Sequence, residues 1–342
     1  MTVKQGPKPL ESPVDTARVD SLLASIGLEH GRRATRTSAW AGGSRVPSLK
    51  PALTTRPKND DSPGLERVPG WEKYAWLQAA FSTRLNGSST VYNSEGRKEL
   101  NLGWTKDDDP EAVRENRDRF LHAVTGGATD SELVTVRQTH TPIVRLVKDG
   151  HGPLATAEGK AQLRGDALMT NLPGLVLGVQ TADCVPVFVV DTEKRVVAAF
   201  HAGWRGTVAR IVERGVGTMQ LEYGSRPRDL IAAIGPAIGS CCYSVGQELR
   251  SEFESQFGYA PSLFHEAYAA APARGNSLQL HLDLHEANRR QLLDAGVRAK
   301  KITVLGQCTA CTRLKNGQLK YFTHRGEAGF TGRMISAIGI AT

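Results

Sequence analysis

Between Thr181 and Gly206 the chain reads TADCVPVFVVDTEKRVVAAFHAGWRG. Two runs of small and β-branched apolar residues, VPVFVV and VVAAF, flank the polar turn DTEK, the pattern of two adjacent buried strands joined by a hairpin. Similar strand-like runs occur at 132–140 (ELVTVRQTH), 174–180 (GLVLGVQ), 229–235 (DLIAAIG) and 301–306 (KITVLG). Helical spacing alternates with them. DPEAVRENRDRFLHAV has Pro110 in its first turn after three aspartates, TVARIVERGVGTMQLEY follows the hairpin, and LHEANRRQLLDAGV is capped by Asp283 and ends at Gly296. Strands and helices mixed through one continuous stretch predict a single α/β domain of layered type over residues 71–342.

Residues 1–70 have a different texture. They hold 11 Lys+Arg against 7 Asp+Glu, 8 of the 17 prolines and one aromatic, Trp40. Such a segment buries too little apolar surface to offset its ordering entropy, so a disordered or loosely attached basic extension is expected. Within it Val19, Leu22, Leu23 and Ile26 share one face of a short amphipathic helix near Val14 to Leu28. The net charge of +8 permits attraction to anions. Without aromatics interleaved among the charges it gives no specific nucleic-acid reading.

No apolar run approaches the roughly 20 residues of a membrane span. No basic n-region precedes the apolar patch SLLASIGL, so a cytoplasmic protein is expected. Five cysteines, two of them adjacent (Cys241, Cys242), fit a disulfide framework poorly and leave thiols for metal or catalysis.

The hairpin opens with a cysteine and closes with a histidine. If the strands fold back on each other, Cys184 and His201 arrive at one end of the sheet, beside Asp183 and Arg205. Thiolate and imidazole are the usual zinc donors, and a catalytic site keeps three protein ligands with one open position. His140, at the end of TVRQTH, is the third candidate. Packed side chains remain the alternative at this point. Asp183 suits a carboxylate bonded to a ligand histidine, a general acid/base, or a turn cap. Arg205, just before a helix start, suits a grip on phosphate or carboxylate, with a structural ion pair as the alternative. Asp166 in GDALMT is equally a catalytic carboxylate or a turn former. Arg137 and Gln138 alternate along a strand, so only one is expected to face the site. The CTAC run at 308–311 would be half of a structural zinc site with Cys241 and Cys242, or a redox pair. It lacks a second C-x-x-C, and packing is expected for it. Packing is also expected for His281 and His285, which the helix start at Asp283 separates.

The segments VRQTH, GDALMTNLPGLVLGVQTADCVPVFVVD, HAGWRGT, IGPAIGSCCYSVG and FTGRM, in that order, resemble the laccase-domain family. That family is also called the multicopper polyphenol oxidase or peptidoglycan editing factor family, and the likeness spans about residues 74–342. The resemblance implies a laccase-domain (cytotoxic necrotizing factor-like) α/β fold with a mixed sheet, and a zinc site at His140, Cys184 and His201. It also implies a purine nucleoside phosphorylase with adenosine deaminase activity, acting on adenosine, inosine or methylthioadenosine with inorganic phosphate as co-substrate. Asp183, Arg205 and Asp166 are then the candidate catalytic residues, in a monomer or small homo-oligomer. The chain departs from the family pattern at Ser244, where a glutamate is common; at Thr323-His324-Arg325, where Y-R-R is common; and at Thr141, where glycine follows the first ligand. Competing readings are a copper-dependent polyphenol oxidase (laccase), a metal-free Cys184/His201 hydrolase acting on a peptidoglycan-related substrate, and a zinc-stabilised binding module. Nine histidines and no H-x-H pair argue against a multicopper centre.

Overall fold

The computed structural model describes residues 16–25, 61–268 and 278–342. In chain order the strands are β1 (Leu65–Glu66), β2 (Leu77–Ser82), β3 (Leu85–Ser89), β4 (Glu132–Thr135), β5 (Val144–Leu146), β6 (Ala167–Thr170), β7 (Leu175–Thr181), β8 (Val185–Asp191), β9 (Val196–Ala202), β10 (Leu230–Ile234), β11 (Ser244–Val245), β12 (Phe264–Tyr268), β13 (Leu278–Leu282), β14 (Ile302–Val304) and β15 (Met334–Ile340). The α-helices are α1 (Thr16–Ser25), α2 (Pro110–Thr125), α3 (Trp204–Val208), α4 (Ile211–Tyr223), α5 (Gln247–Gln256) and α6 (Leu284–Asp294).

Two mixed sheets form the centre, one ordered β1-β2-β15-β7-β4 and the other β14-β10-β8-β9-β6-β5. A three-stranded sheet, β11-β13-β12, lies beside them. Parallel pairs (β4 with β7, β5 with β6, β10 with β14) sit among antiparallel ones, so the expected mixed α/β class holds. The sheets pack face to face. Phe81 of β2 stacks on Phe188 of β8 with ring centroids 4.5 Å apart.

This layering explains the continuous apolar runs. On β8, Val185, Val187 and Val189 face the core shared with α4, α5 and α6, while Phe188 and Val190 face the other sheet. A strand buried on both faces has no polar side to show. The outer face of the five-stranded sheet is covered by Phe120 and Val124 of α2. The predicted hairpin forms: β8 and β9 pair antiparallel with Val185 opposite Ala202 and Pro186 opposite His201.

Two expectations change. The helix predicted from Thr207 to Tyr223 is broken, because Arg210 takes a left-handed φ of 59° between α3 and α4. There its guanidinium reaches Glu213 at 2.7 Å and lies 4.6 Å over the Phe257 ring. Residues 61–70, assigned to the extension, also pack on the domain. Within 61–70, β1 pairs with β2, Val68 is buried, and Arg67 donates to the Ala123 carbonyl at 2.6 Å. The amphipathic helix is present as α1. Its Val19 is buried, and Asp20 pairs with Arg214 of α4 at 3.3 Å. Residues 1–15 and 26–60 lie outside the described residues, as does Ile26 of the expected apolar face.

Removing residues 1–60 is therefore expected to cost about 1–3 kcal/mol through loss of the α1 contact. Removing 1–70 should cost several kcal/mol more, because an edge strand, Val68 and the Arg67 bonds go with it. Denaturant titration of both truncations checks this; equal midpoints would show that β1 contributes nothing.

Candidate metal centre and cavity

His140, Cys184 and His201 come from three places: the turn after β4, the β7–β8 connection and the last residues of β9. Cys184 and His201 stand at the same end of the β8–β9 pair, as expected, and His140 joins them from the turn after a strand of the other sheet. The candidate ligand atoms of all three lie within 4.8 Å of one another, and the two imidazoles stand edge-on with centroids 4.9 Å apart. Gly203 makes room for the cluster. A Cβ there would stand 3.0 Å from Cys184 Sγ and 3.3 Å from the His140 ring, so the first glycine of HAGWRG is fixed by the site.

Asp166 organises this arrangement. It is fully buried, and its carboxylate accepts from the backbone N–H groups of Thr139, His140 and Thr141 and from the Thr141 hydroxyl. Successive N–H groups converge on it because His140 sits at a φ of 59°. It also bonds His201 Nδ1 at 2.9 Å, which leaves Nε2 as the free ring nitrogen. Burial pushes the Asp166 carboxyl up, but His201 and the Thr141 bonds outweigh it and hold the group well below the usual carboxylate range. Asp166 is neither a free catalytic carboxylate nor a plain turn former; it positions two candidate ligands.

The same competition acts on the ligands. Burial raises the Cys184 thiol, yet the His201 charge and hydrogen bonds from both histidines bring it down to about 6. Burial lowers His201, and the Cys184 and Asp166 charges with their hydrogen bonds lift it to about 9. The pair is thus thiolate and imidazolium across neutral pH. An incoming cation takes thiolate and neutral imidazole, so between about pH 6 and about pH 9 it must displace one proton, that of His201. Zinc affinity of metal-free protein should rise about tenfold per pH unit through that window, level off above it, and fall more steeply below it, where the thiol also holds a proton. Chelator-buffered zinc titrations check the slope; a flat profile would mean that ions bind elsewhere.

A cavity of about 590 Å³ opens onto the cluster. Its wall includes Arg137, Arg325 and Arg333, the aromatic rings of Trp204 and Tyr243, and the apolar side chains of Val136, Ile238 and Leu284. Burial and the nearby Cys184 charge push the Tyr243 phenol up to about 12. Its proton stays on at neutral pH, and the phenol is a donor.

The other predicted residues fall out as follows. Asp183 lines the cavity at a φ of 91°, but both oxygens are committed: Oδ1 accepts from the Thr309 hydroxyl and Oδ2 from the Arg325 N–H, each at 2.6 Å. It bonds neither ligand histidine, a place taken by Asp166. Arg205 is exposed, rests 4.3 Å over the Trp204 ring and is outside the cavity wall. Arg137 and Gln138 both line the cavity, because regular strand alternation ends at Thr135. Trp204, Tyr243, Arg325 and Arg333 were given no role, although Trp204, Tyr243 and Arg333 sit inside the motifs HAGWRGT, IGPAIGSCCYSVG and FTGRM and Arg325 ends the Thr323-His324-Arg325 run. His281 lies in β13 and His285 in α6, both buried, with His281 Nδ1 facing the Ser240 carbonyl at 2.6 Å.

Comparison with known proteins places this architecture. The family model described as multi-copper polyphenol oxidoreductase laccase matches residues 78–341. The chain belongs to this laccase-domain family. A purine nucleoside phosphorylase of Bacteroides thetaiotaomicron is 33% identical over 280 residues, covering 80% of this chain and 97% of the relative. Adenosine deaminase RL5, from an unknown prokaryotic organism, is 38% identical over 202 residues, 59% of this chain and 74% of the relative. The crystal structure of YlmD from Geobacillus stearothermophilus superposes with a TM-score of 0.67 at 32% identity, covering 83% of this chain and 98% of that one. Of this chain's three departures from the laccase-domain pattern, Ser244 accepts from Arg325 through its carbonyl and hydroxyl at 2.8 and 3.0 Å, and Thr323-His324 stand immediately before that arginine. The third, Thr141, adds its hydroxyl to the Asp166 cradle at 2.8 Å.

Proposed function

We propose that this laccase-domain protein is a zinc-dependent purine nucleoside phosphorylase that also deaminates adenosine. The observation carrying the proposal is a three-donor His–Cys–His cluster at a cavity whose wall combines aromatic rings with three arginines. Relatives bearing both activity names support it. The donors fit zinc: two imidazoles and a thiolate held at about neutral pH, with Asp166 fixing one tautomer. Zinc held by His140, Cys184 and His201 with a fourth position open would supply Lewis acidity and acidify a water ligand.

The rest of the chemistry falls to the side chains. Trp204 and Tyr243 offer π faces and an apolar wall for the purine. The Tyr243 phenol, protonated at neutral pH, can donate to a ring nitrogen of the base and so favour its departure. Arg137, Arg325 and Arg333 can take phosphate with charge-assisted bonds and hold it for attack on the ribose carbon. In that reaction the N-glycosidic bond breaks, a carbon–oxygen bond to phosphate forms, and the base leaves with a proton. In deamination, water adds at the purine C6 and ammonia leaves, giving inosine. Asp183 keeps Arg325 and the β7–β8 turn in place, a positioning role in this scheme.

The copper oxidase reading would need the many histidines of a multicopper centre. Among the described residues the groups of three or more candidate ligands are His140–Cys184–His201 and a four-cysteine cluster. The test is a panel of purine nucleosides with zinc-loaded protein. Ribose-1-phosphate from adenosine or inosine plus phosphate, and inosine from adenosine without phosphate, are expected. If neither product forms while copper-loaded protein oxidises a quinol, the nucleoside assignment is wrong.

A further inference from the structure

Four of the five cysteines gather away from the candidate centre. Cys241 and Cys242 lie on the segment after β10, Cys308 and Cys311 on the segment after β14. Because β10 and β14 are parallel neighbours, both segments leave the same end of the sheet. Their pairing continues beyond the strands: Ala237 bridges Cys308, and the Thr309 N–H donates to the Ala237 carbonyl at 2.9 Å. The result is that all four sulfurs lie within 4.8 Å of one another, with Cys241 and Cys311 at 3.6 Å.

That spacing is what one tetrahedral ion demands. Metal–sulfur bonds of about 2.3 Å put the sulfurs about 3.8 Å apart. The backbone completes the setting. The Gly239 N–H donates to Cys308 Sγ at 3.2 Å, a bond that favours thiolate over thiol. The absence of a side chain at Gly239 keeps the cluster uncrowded, since a Cβ would stand 3.2 Å from Cys241 Sγ and from the Cys308 Cβ. Four thiolates this close repel one another strongly without a cation between them. An all-sulfur donor set selects a soft ion over magnesium or calcium, and four protein donors leave no open position for substrate.

We infer that Cys241, Cys242, Cys308 and Cys311 bind one zinc ion as a closed structural site, separate from the His140–Cys184–His201 centre. Binding releases the thiol protons to solvent and oxidises nothing. The ion ties together the two segments that shape the cavity. Tyr243, next to Cys242, and Ile238 stand in its wall, and Thr309, next to Cys308, holds Asp183 beside Cys184.

The experiment measures zinc per chain by elemental analysis in the full chain, purified under reductant and exchanged into chelator-free buffer. Wild type is expected to carry two ions, Cys184→Ser one, and the Cys241→Ser/Cys311→Ser double variant one. Should the double variant fold poorly, Cys184→Ser loaded with cobalt(II) gives an independent reading, because any thiolate-to-cobalt charge-transfer band must then come from the four cysteines. Unchanged zinc content in a folded double variant, no such band in Cys184→Ser, or intact mass and thiol counts showing these cysteines paired as disulfides would each overturn the site.

Discussion

Cys184→Ala is expected to lose metal at the His–Cys–His centre and turnover together, with kcat/KM down about a thousandfold or more. The loss should be that large because nothing nearby can replace the sulfur. Gly203 leaves only enough space for it, and Asp183 has both oxygens bonded elsewhere. Alkylation of the wild-type thiol separates metal chemistry from a thiol hydrolase. In the metal-free protein Cys184 is a thiolate near neutral pH and should react readily with iodoacetamide. As a ligand it is occupied, so added zinc should protect it from alkylation while restoring activity. A nucleophile would behave in the opposite way, keeping full activity in chelator and losing it on alkylation whether or not zinc is present. Parallel measurements of zinc content, alkylation rate and nucleoside turnover read all of this from one preparation.

How much of this was legible in the sequence follows from the range of each interaction. The β8–β9 hairpin was readable because its pattern is local: two apolar runs, a polar turn, and a cysteine and histidine at the two ends. The candidate ligands were readable for the same reason, helped by motif order. What sequence does not carry is the partner of a buried carboxylate. Asp166 and Asp183 look alike as turn-forming aspartates, yet one meets His201 across 35 residues and the other Thr309 across 126. The carboxylate bonded to a candidate ligand histidine, expected at Asp183, is therefore Asp166. Arg205 was favoured as the anion grip for its place at a helix start, but a five-residue helix turned it outward onto Trp204. The cationic wall is built instead by Arg137, Arg325 and Arg333, more than 180 residues apart in sequence between the first and the second. The four cysteines were discounted for lack of a second C-x-x-C. Parallel pairing of β10 with β14, invisible in one strand alone, brings them together.

Asp166→Asn tests the positioning argument with a second large effect. The amide keeps the shape of the carboxylate but carries no charge, and one of its two ends becomes a donor facing the N–H groups of Thr139, His140 and Thr141. Zinc affinity should fall about 10- to 100-fold, the usual cost of losing a partner bonded to a ligand histidine, and kcat/KM should fall with it. A loss of that size could also come from a loosened turn, so the deciding readout is the pH profile. Asp166 is one of the groups that lift His201 to about 9 in the metal-free protein. Without its charge the imidazolium loses its proton at lower pH, and the pH at which zinc affinity levels off should move down from about 9 toward the unperturbed histidine value of about 6.5. Thr141→Val provides the contrast. It removes one hydroxyl bond to the same carboxylate and leaves the charge beside His201 in place, so the turn is loosened while the levelling-off pH is expected to stay unmoved. If Asp166→Asn weakens zinc binding yet keeps the wild-type pH profile, Asp166 shapes the turn and does not tune His201.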